Sequence, residues 1–204
     1  RFAPDTFTGE KWTQKQWNVM GGKKVDGAGS GYFEYRVSLP ADFDASAVAE
    51  ATLTFEASAK KLNGKDMEKK SSMEGDYMRG KGAFDNSLNP NAYPMTDTYK
   101  YPSKVKVEAD GRTIGEIYLE DDPADHRGIL SWHSQLKNKK LDEAGSYGYL
   151  CSLNVPVELL KNLKGKEITI RFSVDDSFPG GLAIYGERSG RYPLDPTLVF
   201  VMKK

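Results

Sequence analysis

At 204 residues, the chain is long enough to bury a full core as one β-sandwich, so stability requires neither disulfides nor a metal; two very small domains would also fit that length. Its composition, 38% hydrophobic, 11% aromatic and 28% charged, is that of an ordinary globular chain. Lys plus Arg and Asp plus Glu both number 29. This balance argues against nucleic acid or an anionic membrane as the main partner, because both call for a basic surplus, and it suits neutral, hydroxyl-rich ligands such as sugars.

Taken in chain order, the first signal is a weak strand piece near Gln16–Val25, with Trp12 and Trp17 close by; at least one of these indoles is expected in the core. Gly27-Ala28-Gly29-Ser30-Gly31 resembles a dinucleotide loop only superficially, since it precedes a strand instead of opening a helix. It reads as a turn. In Gly31–Leu39, Phe33, Tyr35, Val37 and Leu39 alternate with Glu34, Arg36 and Ser38, the period of a strand with one apolar face. Glu50–Ser58 repeats the pattern, with Ala51, Leu53, Phe55 and Ala57 inward against Thr52, Thr54 and Glu56.

From Lys60 to Pro102 no period is sustained. Segments of that length inside a compact domain are functional or disordered, and Tyr77, Phe84, Tyr93, Tyr99 and Tyr101 argue against plain disorder. A partly ordered excursion folded over one end or face of the sandwich is expected, its lysine-rich start Lys60–Lys70 reading as a solvated loop more readily than as a binding patch. Ser103–Ala109 then alternates through Val105 and Val107. Asp110-Gly111 is a two-residue hairpin signal, and Arg112–Leu119 is the return strand.

A further strand piece falls near Gly128–Trp132, and Tyr147, Tyr149, Cys151, Leu153 and Val155 share one face of a long strand. Pro156–Leu163 is the one convincing helical turn, with Pro at its start and Gly165 beyond its end. Lys166–Val174 alternates again, and Leu182–Tyr185 and Thr197–Met202 are short apolar runs of the kind found in strands covered on both sides. The sum is nine or ten strands with hardly any helix: an all-β, two-sheet antiparallel sandwich of jelly-roll type, one domain over residues 1–204 with 60–102 as an excursion. The strand order is not readable.

Cys151 has no partner for an internal disulfide and sits among apolar strand residues, which makes it a small buried hydrophobe. No run of about 18 apolar residues marks a transmembrane helix. The chain opens on Arg1, with no signal peptide, which reads as a cut end and as one piece of something larger.

With two histidines and one cysteine, a zinc site rich in those residues is not expected, and no nucleophile elbow or phosphate loop appears. No cofactor is required. Asp121, Asp122 and Asp125, and separately Asp175-Asp176, are acidic clusters that read first as solvated turn residues; a structural calcium site and a catalytic pair remain the alternatives.

Two clusters suit polar recognition. His126, Arg127, Trp132 and His133 combine hydrogen-bonding groups with an indole face that can stack on a sugar ring; alternatively Trp132 is core and a histidine structural. Tyr185, Glu187, Arg188, Arg191 and Tyr192 follow one buried strand and precede another, which places them on a sandwich-end loop, where recognition residues concentrate. The alternative there is an Arg188–Glu or Arg191–Asp clamp that ties the loop down.

Several phrases carry a family resemblance: the run from Asp122 to His133, the run Leu141-Asp142-Glu143-Ala144-Gly145-Ser146-Tyr147-Gly148-Tyr149, the run from Gly180 to Gly186, the run from Gly190 to Thr197, and Gly29-Ser30-Gly31-Tyr32-Phe33-Glu34-Tyr35. Together they resemble the C-terminal part of large family-two, β-galactosidase-like glycoside hydrolases of Bacteroides-type gut bacteria. The resemblance implies a galactose-binding-like jelly roll exported to the periplasm or cell surface with its parent enzyme. In that family the catalytic glutamates belong to a separate (β/α)8 barrel, and nothing here alternates strand and helix as a barrel must. No catalytic residue is therefore carried over.

Three functional readings follow. The first is a non-catalytic carbohydrate-binding or accessory module of a secreted glycoside hydrolase, its partners a plant or host glycan and the parent's other domains. The second is a purely structural domain that buttresses the parent. The third is a jelly-roll polysaccharide lyase in which Tyr, His and Arg move a proton beside a uronate.

Overall fold

The computed structural model describes residues 1–20, 24–60, 101–120, 148–163 and 166–204. Among these residues there are eleven strands and one short helix: β1 Gly9–Trp12, β2 Lys15–Met20, β3 Lys24–Ala28, β4 Gly31–Ser38, β5 Val48–Ser58, β6 Ser103–Ala109, β7 Arg112–Leu119, β8 Tyr149–Asn154, α1 Val157–Lys161, β9 Glu167–Val174, β10 Leu182–Tyr185 and β11 Thr197–Met202. They form two antiparallel sheets. One has the order β1-β4-β9-β6-β7; the other has β11-β5-β10-β3-β2, with β8 also paired to β5. The protein is an all-β jelly-roll sandwich. No helix among the described residues is long and apolar enough to cross a membrane.

Alternation builds the core. Phe33, Tyr35 and Val37 of β4, Val105 and Val107 of β6, and Ile168, Ile170 and Phe172 of β9 meet Leu53, Phe55 and Ala57 of β5 between the sheets. Each of the Val, Leu, Ile and Phe side chains contributes about 1.5–3 kcal/mol when taken out of water. The ring of Phe172 lies edge-on to Phe55 at 4.8 Å and to Tyr35 at 5.9 Å, arrangements in which the positive edge of one ring meets the negative face of the other. The hydroxyl of Tyr35 donates to the Pro4 carbonyl at 2.7 Å, and burial, then the nearby Asp5 charge, hold that phenol well above its ordinary pKa.

Turn chemistry agrees with the sequence at two places. Asp110 (φ 46°) and Gly111 (φ 75°) both occupy the left-handed region that a two-residue primed hairpin between β6 and β7 requires. Gly29 (φ 80°) turns β3 into β4. The flanking Gly27 and Gly31 leave room for the indole of Trp12, which lies within 2.7 Å of where a Cβ would stand at either position and 5.0 Å from the Phe33 ring. The glycine-rich stretch is thus a turn and an indole seat.

Other expectations change. Among the described residues Thr197–Met202 is not covered on both sides: β11 pairs there with β5 alone, and Val199, Val201 and Met202 stand about half exposed. Cys151 and Leu153 of β8 face the core, but Tyr149 is exposed. Lys60 is buried rather than solvated. The rest of the 60–102 excursion lies outside the described residues up to residue 101, yet its ends converge: the Lys60 carbonyl accepts from Gly181 N–H at 2.8 Å and the Pro102 carbonyl from Gly180 N–H at 2.9 Å. The excursion leaves and returns at one glycine pair.

Cys151 is buried, and burial followed by the charge of Glu56 pushes its thiol up to about 12. The thiolate is the reactive form. A native-state titration with a thiol reagent is therefore expected to leave Cys151 unmodified until denaturant is added; rapid labelling of the folded chain would contradict its placement.

Candidate functional site

Strand pairing explains how the loop between β10 and β11 arises. Tyr185 at the end of β10 pairs with Glu56, and Thr197 at the start of β11 pairs with Thr54. Both strands run along the same side of β5, because β8 occupies the other side opposite Glu56 and Thr54. Residues 186–196 are therefore an excursion in what is otherwise one strand, leaving and re-entering across the single β5 residue Phe55. Its ends are close and its length is that of a compact surface loop with its own internal bonds.

Glu56 organises that loop. Its position in the alternation points it away from the core, and it is nevertheless fully buried. Its two carboxylate oxygens accept the backbone N–H groups of Arg191 and Tyr192, each at 2.9 Å. Gly190 allows this approach: a Cβ there would stand 2.0 Å from Glu56 Oε2. Around this centre, Ser189 and Gly190 N–H donate to the Gly186 carbonyl at 3.1 and 3.2 Å, and Asp195 accepts from Glu187 N–H at 3.0 Å. The N-terminus ties down one end, with Phe2 N–H on the Pro196 carbonyl at 3.0 Å and Arg1 on Glu187 at 3.3 Å.

The sequence-predicted residues separate on this frame. Tyr185 is fully buried; its hydroxyl pairs with Ser58 Oγ at 3.0 Å and its ring lies 4.9 Å from Lys24 Nζ. Enclosed at the start of the loop, it offers no surface to an outside ligand, against the expectation that it recognises one. Arg188 projects outward, its side chain 73% exposed. Arg191 is exposed, with its guanidinium 5.5 Å from the ring of half-buried Tyr192. Glu187 is half-buried, engaged by Arg1, and 3.8 Å from Arg188. An ion pair between sequence neighbours cannot clamp a loop. The clamp is Glu56, a residue no motif pointed to, because a lone glutamate on the outward period of a strand reads as solvated.

Beneath the same face lies a second buried polar group. Lys24 and Asp26 alternate with Val25 on β3 and form an ion pair at 3.2 Å. By register Lys24 stands opposite Tyr185 and Asp26 opposite Ala183, while Ser58 and Glu56 follow on β5. The outward face of the six-stranded sheet is therefore charged and buried at this end.

His126, Arg127, Trp132 and His133, and the candidate calcium ligands Asp121, Asp122 and Asp125, lie outside the described residues. Of the second acidic pair, Asp175 accepts from Ser177 N–H at 2.9 Å, and the Ser177 hydrogen bonds hold its carboxyl below the usual carboxylate range. That is the geometry of a solvated turn. Among the described residues no group of three or more His, Cys, Asp or Glu side chains could hold a metal ion.

No protein-family model matches the chain, and no curated protein matches it. Several solved structures are similar to it in part, two of them as follows. The tandem CBM51 modules of a family 98 glycoside hydrolase from Streptococcus pneumoniae align at 13% identity and a TM-score of 0.28, over 79% of this chain and 30% of that one. A cycloisomaltooligosaccharide glucanotransferase from Paenibacillus sp., complexed with cycloisomaltoheptaose, aligns at 10% identity and a TM-score of 0.36, over 90% of this chain and 18% of that one. The chain thus spans less than a third of either solved chain.

Proposed function

We propose that this chain is a non-catalytic carbohydrate-binding module, an accessory domain of a glycoside hydrolase that works in the periplasm or outside the cell. The observation that carries the reading is the 186–196 loop. Its backbone is fixed from below by Glu56, while Arg188, Arg191 and Tyr192 remain at its surface. Binding costs less when the recognising groups are already held in place. Guanidinium groups donate to ring hydroxyls, and a tyrosine ring offers an apolar face to the C–H side of a sugar. The equal numbers of acidic and basic residues suit a neutral polymer.

Affinity electrophoresis against plant and host glycans tests this. Retention of the native chain by at least one neutral glycan is expected, with Arg188→Ala/Arg191→Ala weakening it about tenfold, the effect of losing about 1.4 kcal/mol of hydrogen bonding. No retention by any of them rejects the reading.

The half-exposed apolar strip on β11, Val199, Val201 and Met202, favours a second reading, a domain that buttresses its parent hydrolase. Deleting the domain from the full-length enzyme separates the two. Lost stability with unchanged glycan affinity supports the buttress.

A further inference from the structure

The opposite face of the sandwich carries a feature that the loop does not use. On the outer side of the five-stranded sheet, Lys106 stands between Ser173 of β9 and Glu116 of β7, and one step along β6 Lys104 stands opposite Tyr118. Lys104, Lys106, Glu116, Ser173, Val174 and Asp175 line an open depression of about 300 Å³, at the lower end of the range for ligand clefts, about 300–1,000 Å³. Beside it Tyr118 is 57% exposed, the most exposed large hydrophobic side chain among the described residues. Its ring is propped edge-on by Phe178 at 5.5 Å.

Three properties of this depression select a ligand. First, its charges cancel. Two lysines and two carboxylates line it; Lys104 lies 2.6 Å from Glu116, and Lys106 lies 2.8 Å from Glu108 beside it. A cation or an anion would meet its like charge as readily as its opposite. Second, the donors and acceptors are interleaved. The ammonium groups donate, the carboxylates accept and the Ser173 hydroxyl, which donates to the Lys106 carbonyl at 3.4 Å, keeps its acceptor side, which matches sugar hydroxyls that both donate and accept. Third, a propped aromatic ring stands at the margin, where an apolar ring face can be covered while the hydroxyls on its rim reach Lys104 and Glu116.

We infer that this face holds a second sugar-binding site, for one neutral pyranose unit stacked on Tyr118 and hydrogen-bonded by Lys104, Glu116 and Asp175. The inference deepens the carbohydrate-binding reading and rests on it. It places two contact surfaces on opposite sheets, so one chain can engage two strands of a polysaccharide or two chains of a brush, and linked weak sites then act together.

An NMR titration of the full chain tests it, with cellobiose, galactobiose, mannobiose and xylobiose as neutral probes and digalacturonate as the charged one. At least one neutral disaccharide is expected to shift the amides of β6, β7 and Ser173–Phe178. Tyr118→Ala should weaken that binding about tenfold through the lost stacking area, and Tyr118→Phe should preserve it. Affinity should not depend on salt, because no net charge is neutralised. Shifts that avoid this face, with Tyr118→Ala inert, overturn the second site and leave the module reading standing. Silence from every probe, together with no glycan retention in the electrophoresis, overturns both. Digalacturonate binding tighter than any neutral probe, with a steep salt dependence, overturns the neutral-ligand assignment.

Discussion

Replacing Glu56 by alanine is expected to lower the unfolding free energy by about 3 kcal/mol, from two lost charge-assisted hydrogen bonds at about 1.5–3 kcal/mol each, less what the freed loop recovers from water. For a domain of this size that corresponds to a fall in Tm of about 10 °C. Glu56 is fully buried and holds the Arg191 and Tyr192 N–H groups. Without it, those donors face a cavity and the 186–196 excursion loses the centre around which it is wound. Glu56→Gln should cost less, since the amide retains one acceptor oxygen.

Gly190→Ala attacks the same contact from the other side, because the new Cβ would stand 2.0 Å from Glu56 Oε2 and 2.7 Å from its Cδ. Alone it should cost about 2 kcal/mol as an overpacked site. In the Glu56→Ala background the obstructing carboxylate is gone, so the same substitution should cost far less, with a coupling of about 1 kcal/mol or more between the two. Guanidinium unfolding of the four chains measures this. Strict additivity would show that Gly190 and Glu56 do not meet.

Asp26→Asn should destabilise the fold by about 3–5 kcal/mol, the cost of breaking a buried ion pair by removing one partner. Lys24 Nζ lies 3.2 Å from Asp26 and 4.9 Å from the centre of the Tyr185 ring, and both side chains are nearly inaccessible. Asparagine keeps the shape and removes the charge, leaving the ammonium group buried beside an amide and a ring. Replacing both members together, as Lys24→Met/Asp26→Leu, should cost less than Asp26→Asn, because the Lys24 ammonium is then not stranded. Urea midpoints decide the matter: an Asp26→Asn chain as stable as the native one means the pair carries no such load. A loss of glycan retention in either variant would further indicate that this layer, through Tyr185 and Glu56, sets the position of the loop above it.

The two buried charge groups differ in how visible they were. Lys24 and Asp26 sit two apart on a short strand, so any reader of the alternation would place them on one face; that the face is buried could not be seen. Glu56 offered less. It follows Thr52 and Thr54 in the outward period of β5, and only the return of residues 186–196 over it turns a solvated position into an interior one. The burial of Tyr185 has the same cause, since a tyrosine opening a polar loop looks outward until β5 and β3 close on both sides of it. The depression beside Tyr118 was only half visible: the Asp110-Gly111 hairpin already sets Lys104 and Lys106 beside Glu116 and Tyr118, but β9 brings Ser173 to Lys106 from 67 residues away, with no local signal. Arg188, Arg191 and Tyr192, by contrast, were placed correctly on a connecting loop by the strands that flank them.

What the sequence determines by itself is local: period-two hydrophobicity positions β4, β5, β6 and β9, Asp110-Gly111 closes the β6–β7 hairpin, and Gly29 turns β3 into β4. These depend on a residue and its immediate neighbours, so a single strand or turn already contains them. Tertiary structure decided which strands lie beside which, and with that the alignment of β10 and β11 along one side of β5, the burial of Glu56 and Lys24–Asp26, and the neutral depression on the far sheet. Each of these is a meeting of distant segments, whose pairing is chosen by the packing of the whole core, and no periodicity within a segment encodes its partner.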